Sequence, residues 1–354
     1  MSTKAGCFTA CLAAFTAMTL SVNAADRTWD GEGGDGIWGT AANWSADTTP
    51  TVADRAIIST NGVPPGKRIF LRGDQTIQAL GFTGSACDTI IDGEGSNTLT
   101  LTTGAVSGGS GAVKGVIACD VILGASGSWA APDSYLSTIF CYGNVSDGGN
   151  GYGVTFAGSQ NRAIVVGGHW DIGGSMTLNC RAIRIGGVYT NADESIRYGG
   201  SVTNATGVYL DGRLNDSDNE TTLTIENTDA ANSDRIQGNT AIGSLRSGGR
   251  IVFNGNASTP VQERVQTLDM QGGRLSITVT GKSTAVPTEL IFGSVNRTSG
   301  SALALATNVA GRIIVENAVN TNGIWQPWCF FGSYYAKAEA DGTIISTVNS
   351  DYLT

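Results

Sequence analysis

The chain is short of charge. Only 14% of its 354 residues are Asp, Glu, Lys or Arg, and the formal net charge is -9. Nucleic acids and anionic membrane surfaces are both gripped by basic patches, so this balance argues against either as a partner. There is one histidine, His169. That excludes a multi-histidine metal centre and obliges any Ser-His-Asp triad to pass through this residue. No Gly-x-Ser-x-Gly elbow is present to present a nucleophile. The cysteines never fall in C-x-x-C spacing, which argues against a zinc site. After residue 25, no apolar stretch is long enough to span a bilayer. None repeats its apolar residues at helical spacing for three turns either.

What the chain has instead is glycine, 50 residues of it, and short strands of alternating polarity. Gly-Gly occurs at 33, 108, 148, 167, 173, 186, 199, 248 and 272. Between these sit runs such as Thr98-Leu-Thr-Leu-Thr, Gly115-Val-Ile-Ala-Cys-Asp-Val-Ile-Leu-Gly and Arg250-Ile-Val-Phe-Asn-Gly. Inward positions are Ile, Leu, Val and Phe, and outward ones are Thr, Asn, Arg and Glu. Many runs end in Asn or Gly, which tolerate the left-handed backbone of a sharp corner. The pattern predicts an all-β fold, a parallel β-helix (β-solenoid) of roughly 10 coils of roughly 20–30 residues each. A β-sandwich or jelly roll is the alternative, disfavoured by the uneven strand spacing and the glycine pairs.

Four regions follow. Residues 1–24 read as a signal peptide: Lys4, an apolar run from Ala5 to Val22, and small residues before a cleavage point after Ala24. Residues 25–60 form a tryptophan- and glycine-rich opening block. Residues 61–320 are the solenoid body, and residues 321–354 an aromatic-rich closing block. The expected location is extracellular or on the outer cell surface, with no integral membrane span in the mature chain. Five cysteines remain after cleavage: Cys87, Cys119, Cys141, Cys180 and Cys329. Cys119 and Cys180 lie in strand-like runs and read as small apolar thiols lining a core. Export would also permit disulfides between neighbouring turns.

The opening block carries a resemblance. Thr28-Trp29-Asp30-Gly31 is followed by Gly36-Ile37-Trp38-Gly39-Thr40-Ala41-Ala42-Asn43-Trp44-Ser45, then Pro50 and Asp54-Arg55-Ala56-Ile57-Ile58. This resembles the opening of bacterial autotransporter-associated β-strand repeat proteins. Asn97-Thr-Leu-Thr-Leu-Thr-Thr-Gly is similar to the repeat element of that family, and the segment from Trp325 to Tyr352 to its closing aromatic segment. The resemblance implies an exported, surface-associated, right-handed solenoid. The chain shows neither the translocator barrel of autotransporters nor a Pro-Glu-Pro sorting tail, so self-translocation and covalent sorting are not carried over.

Candidate sites are few. Trp29, Trp38 and Trp44 read first as a cap over the open end of the solenoid, whose unpaired strand edges would otherwise template aggregation. Their other reading is a ligand-binding platform on which sugar rings stack. Asp216, Asp218 and Glu220 alternate, so an extended chain puts three carboxylates on one side, a weak candidate calcium site. No other cofactor is expected. His169, in Gly167-Gly-His-Trp-Asp-Ile-Gly-Gly, reads as a polar residue at a glycine-flanked turn. Carboxylates such as Asp171, Asp193, Glu194 and Asp211, the last with Arg213, would have to converge on one face to make a polysaccharide lyase or hydrolase. The expectation is a non-catalytic surface or matrix protein in adhesion or a structural role, with glycans, other surface proteins or its own copies as partners. The alternatives are a polysaccharide-active β-helix enzyme and a self-assembling extracellular fibre subunit.

Overall fold

The structure is a computed structural model that describes residues 24–59, 68–84, 88–108, 114–131, 138–158, 163–190, 195–212, 220–237, 240–246 and 248–347. Parallel strands stack into a β-solenoid of about 10 coils. Two long sheets run the length of the tube, one of 16 strands and one of 13. The larger sheet forks at the strand Thr98–Gly108. Its first half pairs with Asp120–Leu123 and its second half with Gly127–Ala130. From there the coils up to Leu210 cross the larger sheet as two short strands and then contribute one strand to the smaller sheet, whereas Val261–Met270 and Thr288–Arg297 each cross it as one long strand. The tube therefore has three walls: the first arm and second arm of the larger sheet, and the smaller sheet as third wall.

Register sets the coil length. Down the third wall Ile91 pairs with Ile117, Ile117 with Cys141, Cys141 with Val166, Ile225 with Phe253 and Phe253 with Val279. Each of these steps is one coil of the expected length. Two steps depart from it: Val166 to Ile185 is markedly shorter, and Ile185 to Ile225 markedly longer. The long coil holds an antiparallel hairpin, Gly187–Thr190 with Ser195–Tyr198, that belongs to neither long sheet.

Period-two alternation explains the core. Arg274–Thr280 (RLSITVT) buries Leu275, Ile277 and Val279 and turns its other residues outward. Each inward position lies over the same position of the next coil, so columns form. Leu99, Val121, Val145, Trp170 and Val202 make one inside the first arm. Val106, Trp129, Phe156, Leu178 and Leu210 make another inside the second arm. The largest side chains meet mid-tube, where the rings of Trp129, Phe156 and Trp170 have centroids 4.9 to 6.5 Å apart.

Some corners are sharper than the sequence shows. Gly115–Gly124 reads as one strand, yet the chain turns at Ala118-Cys119, between Lys114–Ile117 in the third wall and Asp120–Leu123 in the first arm. Cys180 likewise sits at the turn between Ser175–Asn179 and Ala182–Ile185. Cys119, Cys141 and Cys329 are buried free thiols, Cys180 is buried as well, and Cys87 lies outside the described residues. Burial pushes the Cys119, Cys141 and Cys329 thiols up from their ordinary value.

Both ends depart from the plain stack. Asp26–Trp29 pairs in parallel with Arg55–Ser59, so the opening block supplies the first strands of the larger sheet. The chain between them folds back, with Trp44 bridging antiparallel to Trp29 and the Trp38 backbone N–H donating to the Phe70 carbonyl. At the other end Cys329–Phe331 continues the third wall in parallel, and Tyr334–Ala338 and Ile344–Ser346 then close it antiparallel.

Candidate functional site: an open groove on the second arm

The three opening tryptophans do not form a sugar platform. Trp38 and Trp44 are 0% exposed and Trp29 is 2% exposed. Their rings pack edge to face at 5.1 and 4.7 Å, and the Trp44 Nε1–H donates to the Trp38 carbonyl at 2.7 Å. Asp35 fixes the turn beneath them by accepting from the Ile37 N–H, the Thr40 hydroxyl and the Asn43 amide. No indole face is left for a ring ligand. The alternation of tryptophan with glycine is the same in a cap and a platform, so composition alone does not separate them.

Of the proposed calcium loop, Asp216 and Asp218 lie outside the described residues, as do Asp193, Glu194 and Arg213, while Glu220 is exposed. Among the described residues, no group of three or more His, Cys, Asp or Glu side chains is placed to hold a metal ion. Asp211 pairs with Arg246 at 2.5 Å.

His169 is one step in a corner ladder. Asp74 accepts from the Thr98 N–H, Asp120 from the Asn144 N–H and Asn144 from the His169 N–H, at 2.8, 2.8 and 3.0 Å. The His169 ring lies 2.8 Å from the Ser201 hydroxyl through Nδ1 and 3.2 Å from the Thr203 hydroxyl through Nε2. A triad needs a carboxylate on one imidazole nitrogen. Here both nitrogens end on hydroxyls, and the nearby Asp171 instead accepts from the Asn204 amide at 2.6 Å.

A second polar node is wholly internal. Glu263 is 0% exposed, although it occupies an inward position in the strand Val261–Met270. Its two oxygens accept the backbone N–H groups of Arg235 and Ile236 at 2.9 and 2.8 Å. The Arg235 guanidinium, equally buried, donates to the Asn227 side chain and to the Gly200 and Ala230 carbonyls. Burial raises the Glu263 carboxyl to about 8, against the opposing pull of the two N–H groups. These buried groups tie irregular backbone to the stack and face no solvent.

Among the described residues, one feature open to a ligand is a groove of about 520 Å³ on the outside of the second arm. Ser126, Ser128, Gly151, Gly153, Thr155 and Ser175 are among the residues that line it. Among the described residues, no ionisable side chain lines it. Three coils contribute to it, because Ser128 pairs with Thr155 and Thr155 with Thr177. Gly151 belongs to the tight loop 147–152, built around Asp147. This carboxylate is 2% exposed and accepts the N–H groups of Gly149, Tyr152 and Gly173 at 2.8, 2.8 and 2.9 Å. Burial alone would raise the Asp147 carboxyl; the N–H donors from Gly173, Gly149 and Tyr152 outweigh it and hold the group below its ordinary value.

One step further along the tube, Thr177 pairs with Tyr209, Tyr209 with Gly243 and Gly243 with Asp269. The Tyr209 ring lies along its own strand over Gly207, where an added methyl group would meet it at 2.2 Å. Gly243 is equally constrained, since a methyl group there would lie 1.7 Å from the Asp269 carbonyl. Asp269 in turn accepts from the Gln271 amide at 2.7 Å. Burial, and then the Asp269 charge, push the Tyr209 phenol up. None of these side chains stood out in the sequence. The signal that could have found them is the shared outward phase of Ser128, Thr155, Thr177 and Tyr209, but it needs the register to be read. Comparison with known proteins adds no relative to this description: no family model, curated protein or solved structure matches the chain.

Proposed function

We propose that this is an exported, non-catalytic β-solenoid of a bacterial surface or extracellular matrix, and that it works in adhesion. The observation that carries the reading is the lateral groove on the second arm, lined by glycine and hydroxyl side chains drawn from successive coils. A rigid, repetitive wall of this kind offers an extended partner the same contacts over and over. The leader-like segment that ends at Ala24 and the resemblance of the Trp29–Ile58 segment to autotransporter-associated β-strand repeat proteins support export and a surface location. Among the described residues no helix is long and apolar enough to cross a membrane.

A fibre subunit is the second reading. It is favoured by the stacked Phe330 and Tyr335 rings, 5.3 Å apart, and by Tyr334, 52% exposed, all at the closing end of the tube. Exposed aromatic clusters of this kind commonly mark contact surfaces.

The test has two arms. Immunolabelling of intact cells of the source bacterium, with fractionation, is expected to place the chain on the outer surface. A screen of polysaccharides for binding and for degradation is expected to give retention without cleavage. Release of reducing ends or unsaturated uronates from any polymer would overturn the non-catalytic reading. Concentration-dependent filaments that Tyr335→Ser abolishes would favour the fibre subunit.

A further inference from the structure

We propose that the second arm binds a neutral, extended polysaccharide along the tube axis, with one pyranose ring stacked on Tyr209 and the following units lying over Thr177, Thr155 and Ser128. The inference rests on the adhesion reading and names its ligand class and its principal contact.

Three features carry it. The first is the posture of Tyr209. Because Gly207 has no side chain, the ring lies flat along the strand with one side against the backbone. The residue is half-buried, so part of the side chain still reaches solvent. A flat ring with an open face and a polar hydroxyl at its rim suits a sugar, whose axial C–H groups cover the ring while its hydroxyls reach sideways. Covering a glycine in a strand is a structural role an aromatic ring can also fill. That role accounts for the contact with Gly207 and does not require the part of the side chain that reaches solvent.

The second is the neutrality of the surroundings. Among the described residues, the groove carries hydroxyls and backbone groups and no ionisable side chain. The one charge in register with Tyr209, across Gly243, is the Asp269 carboxylate. A polyanion such as a uronate polymer would meet this repelling charge, while the nearby Arg246 guanidinium is already paired with Asp211. A neutral glycan finds donors and acceptors of both kinds, including the Gln271 side chain that is hydrogen-bonded to Asp269.

The third is spacing. Ser128, Thr155, Thr177 and Tyr209 present one outward side chain per coil, at the inter-strand distance of about 4.8 Å. That is close to the length of one sugar unit in an extended chain, so successive units meet successive coils. Ligand sites usually join a concave surface to a few convergent polar groups, as here.

The experiment uses the full mature chain and named probes: cellohexaose, xylohexaose and mannohexaose as neutral oligomers, with hexagalacturonate as the charged comparison. Binding is followed by calorimetry and by NMR shifts of the Thr155, Thr177 and Tyr209 amides. At least one neutral oligomer is expected to bind and to move those amides. Tyr209→Ala is expected to weaken it about tenfold, equal to about 1.4 kcal/mol. Tyr209→Phe, which keeps the ring over Gly207, should stay within about threefold of the parent, the loss of one weak hydrogen bond. Thr155→Trp fills the groove from an outward position and should abolish binding while leaving the Tyr209 ring in place; it answers the objection that Tyr209→Ala merely loosens the strand. Tighter binding of hexagalacturonate overturns the neutral class. Neutral binding that survives both Tyr209→Ala and Thr155→Trp overturns the site and leaves the adhesion reading standing. Failure of all three neutral oligomers to bind a chain that is on the cell surface also overturns this inference alone. Absence from the surface defeats the adhesion reading itself.

Discussion

Removing the Asp147 carboxylate should open the groove wall before it melts the solenoid. The side chain accepts three backbone N–H groups, two within its own loop and one, from Gly173, in the next coil. A hydrogen bond to a charged acceptor contributes about 1.5–3 kcal/mol, so the three together amount to about 5–9 kcal/mol before compensation. Gly148 and Gly149 are exposed, so the freed loop amides can turn to water and recover part of this. A net loss of about 3 kcal/mol is expected for Asp147→Ala. Asp147→Asn can keep the two bonds on one side and loses the third, at about 1–2 kcal/mol. The pH dependence has a fixed sign. The carboxyl is held below its ordinary 3.8, so its contribution is present above that pH and is lost as pH falls through the lower folded value. The assay is denaturant unfolding combined with amide exchange at Gly149, Tyr152 and Gly173. Exchange at these three should accelerate most, since stability in a stacked repeat is local. If Asp147→Ala unfolds within about 0.5 kcal/mol of the parent, or if exchange accelerates evenly over remote coils, the loop is not held in this way.

Three further outcomes follow from the interior. Glu263 favours its neutral form when folded, so its contribution to stability should decline as pH rises from 4.5 through about 8, and Glu263→Gln should flatten that slope in denaturant melts. A slope unchanged by the substitution would show that another group sets it. Phe156→Ala removes a fully buried ring between Trp129 and Trp170 and should cost about 3–5 kcal/mol by the same melts; a loss below about 1 kcal/mol would mean the column collapses to fill the gap. Cys119, Cys141 and Cys329 should resist alkylation in the native chain and react on unfolding, as peptide mapping can show; native modification at any of them would contradict their burial.

Much of the tube was legible from alternation alone. Runs such as Arg274–Thr280 and Thr98–Gly108 can bury only one face, and a narrow core accepts only that pattern. Coil length was legible for the same reason, since corners recur wherever the apolar phase breaks. The bends at Cys119 and Cys180 were not, because a small inward thiol at a corner looks like any inward residue of a straight strand. The groove was less legible still. Ser128, Thr155, Thr177 and Tyr209 are unevenly spaced along the chain, and only the hydrogen-bonded register converts those unequal steps into one column. Glu263 in an inward position breaks the alternation rule outright, and only the otherwise unpaired N–H groups of Arg235 and Ile236 above it explain why a carboxylate belongs there.

The stack also dictates how the molecule would bear a mechanical load. Ladder hydrogen bonds between coils point along the tube, so tension applied end to end pulls them lengthwise and peels one coil at a time instead of shearing many together. Unwinding a coil such as Ile91 to Ile117 shortens the tube by about 4.8 Å and releases about 90 Å of extended chain. The long coil from Ile185 to Ile225 would release about half as much again. A stack built this way gives way in discrete steps and lengthens many-fold before it parts.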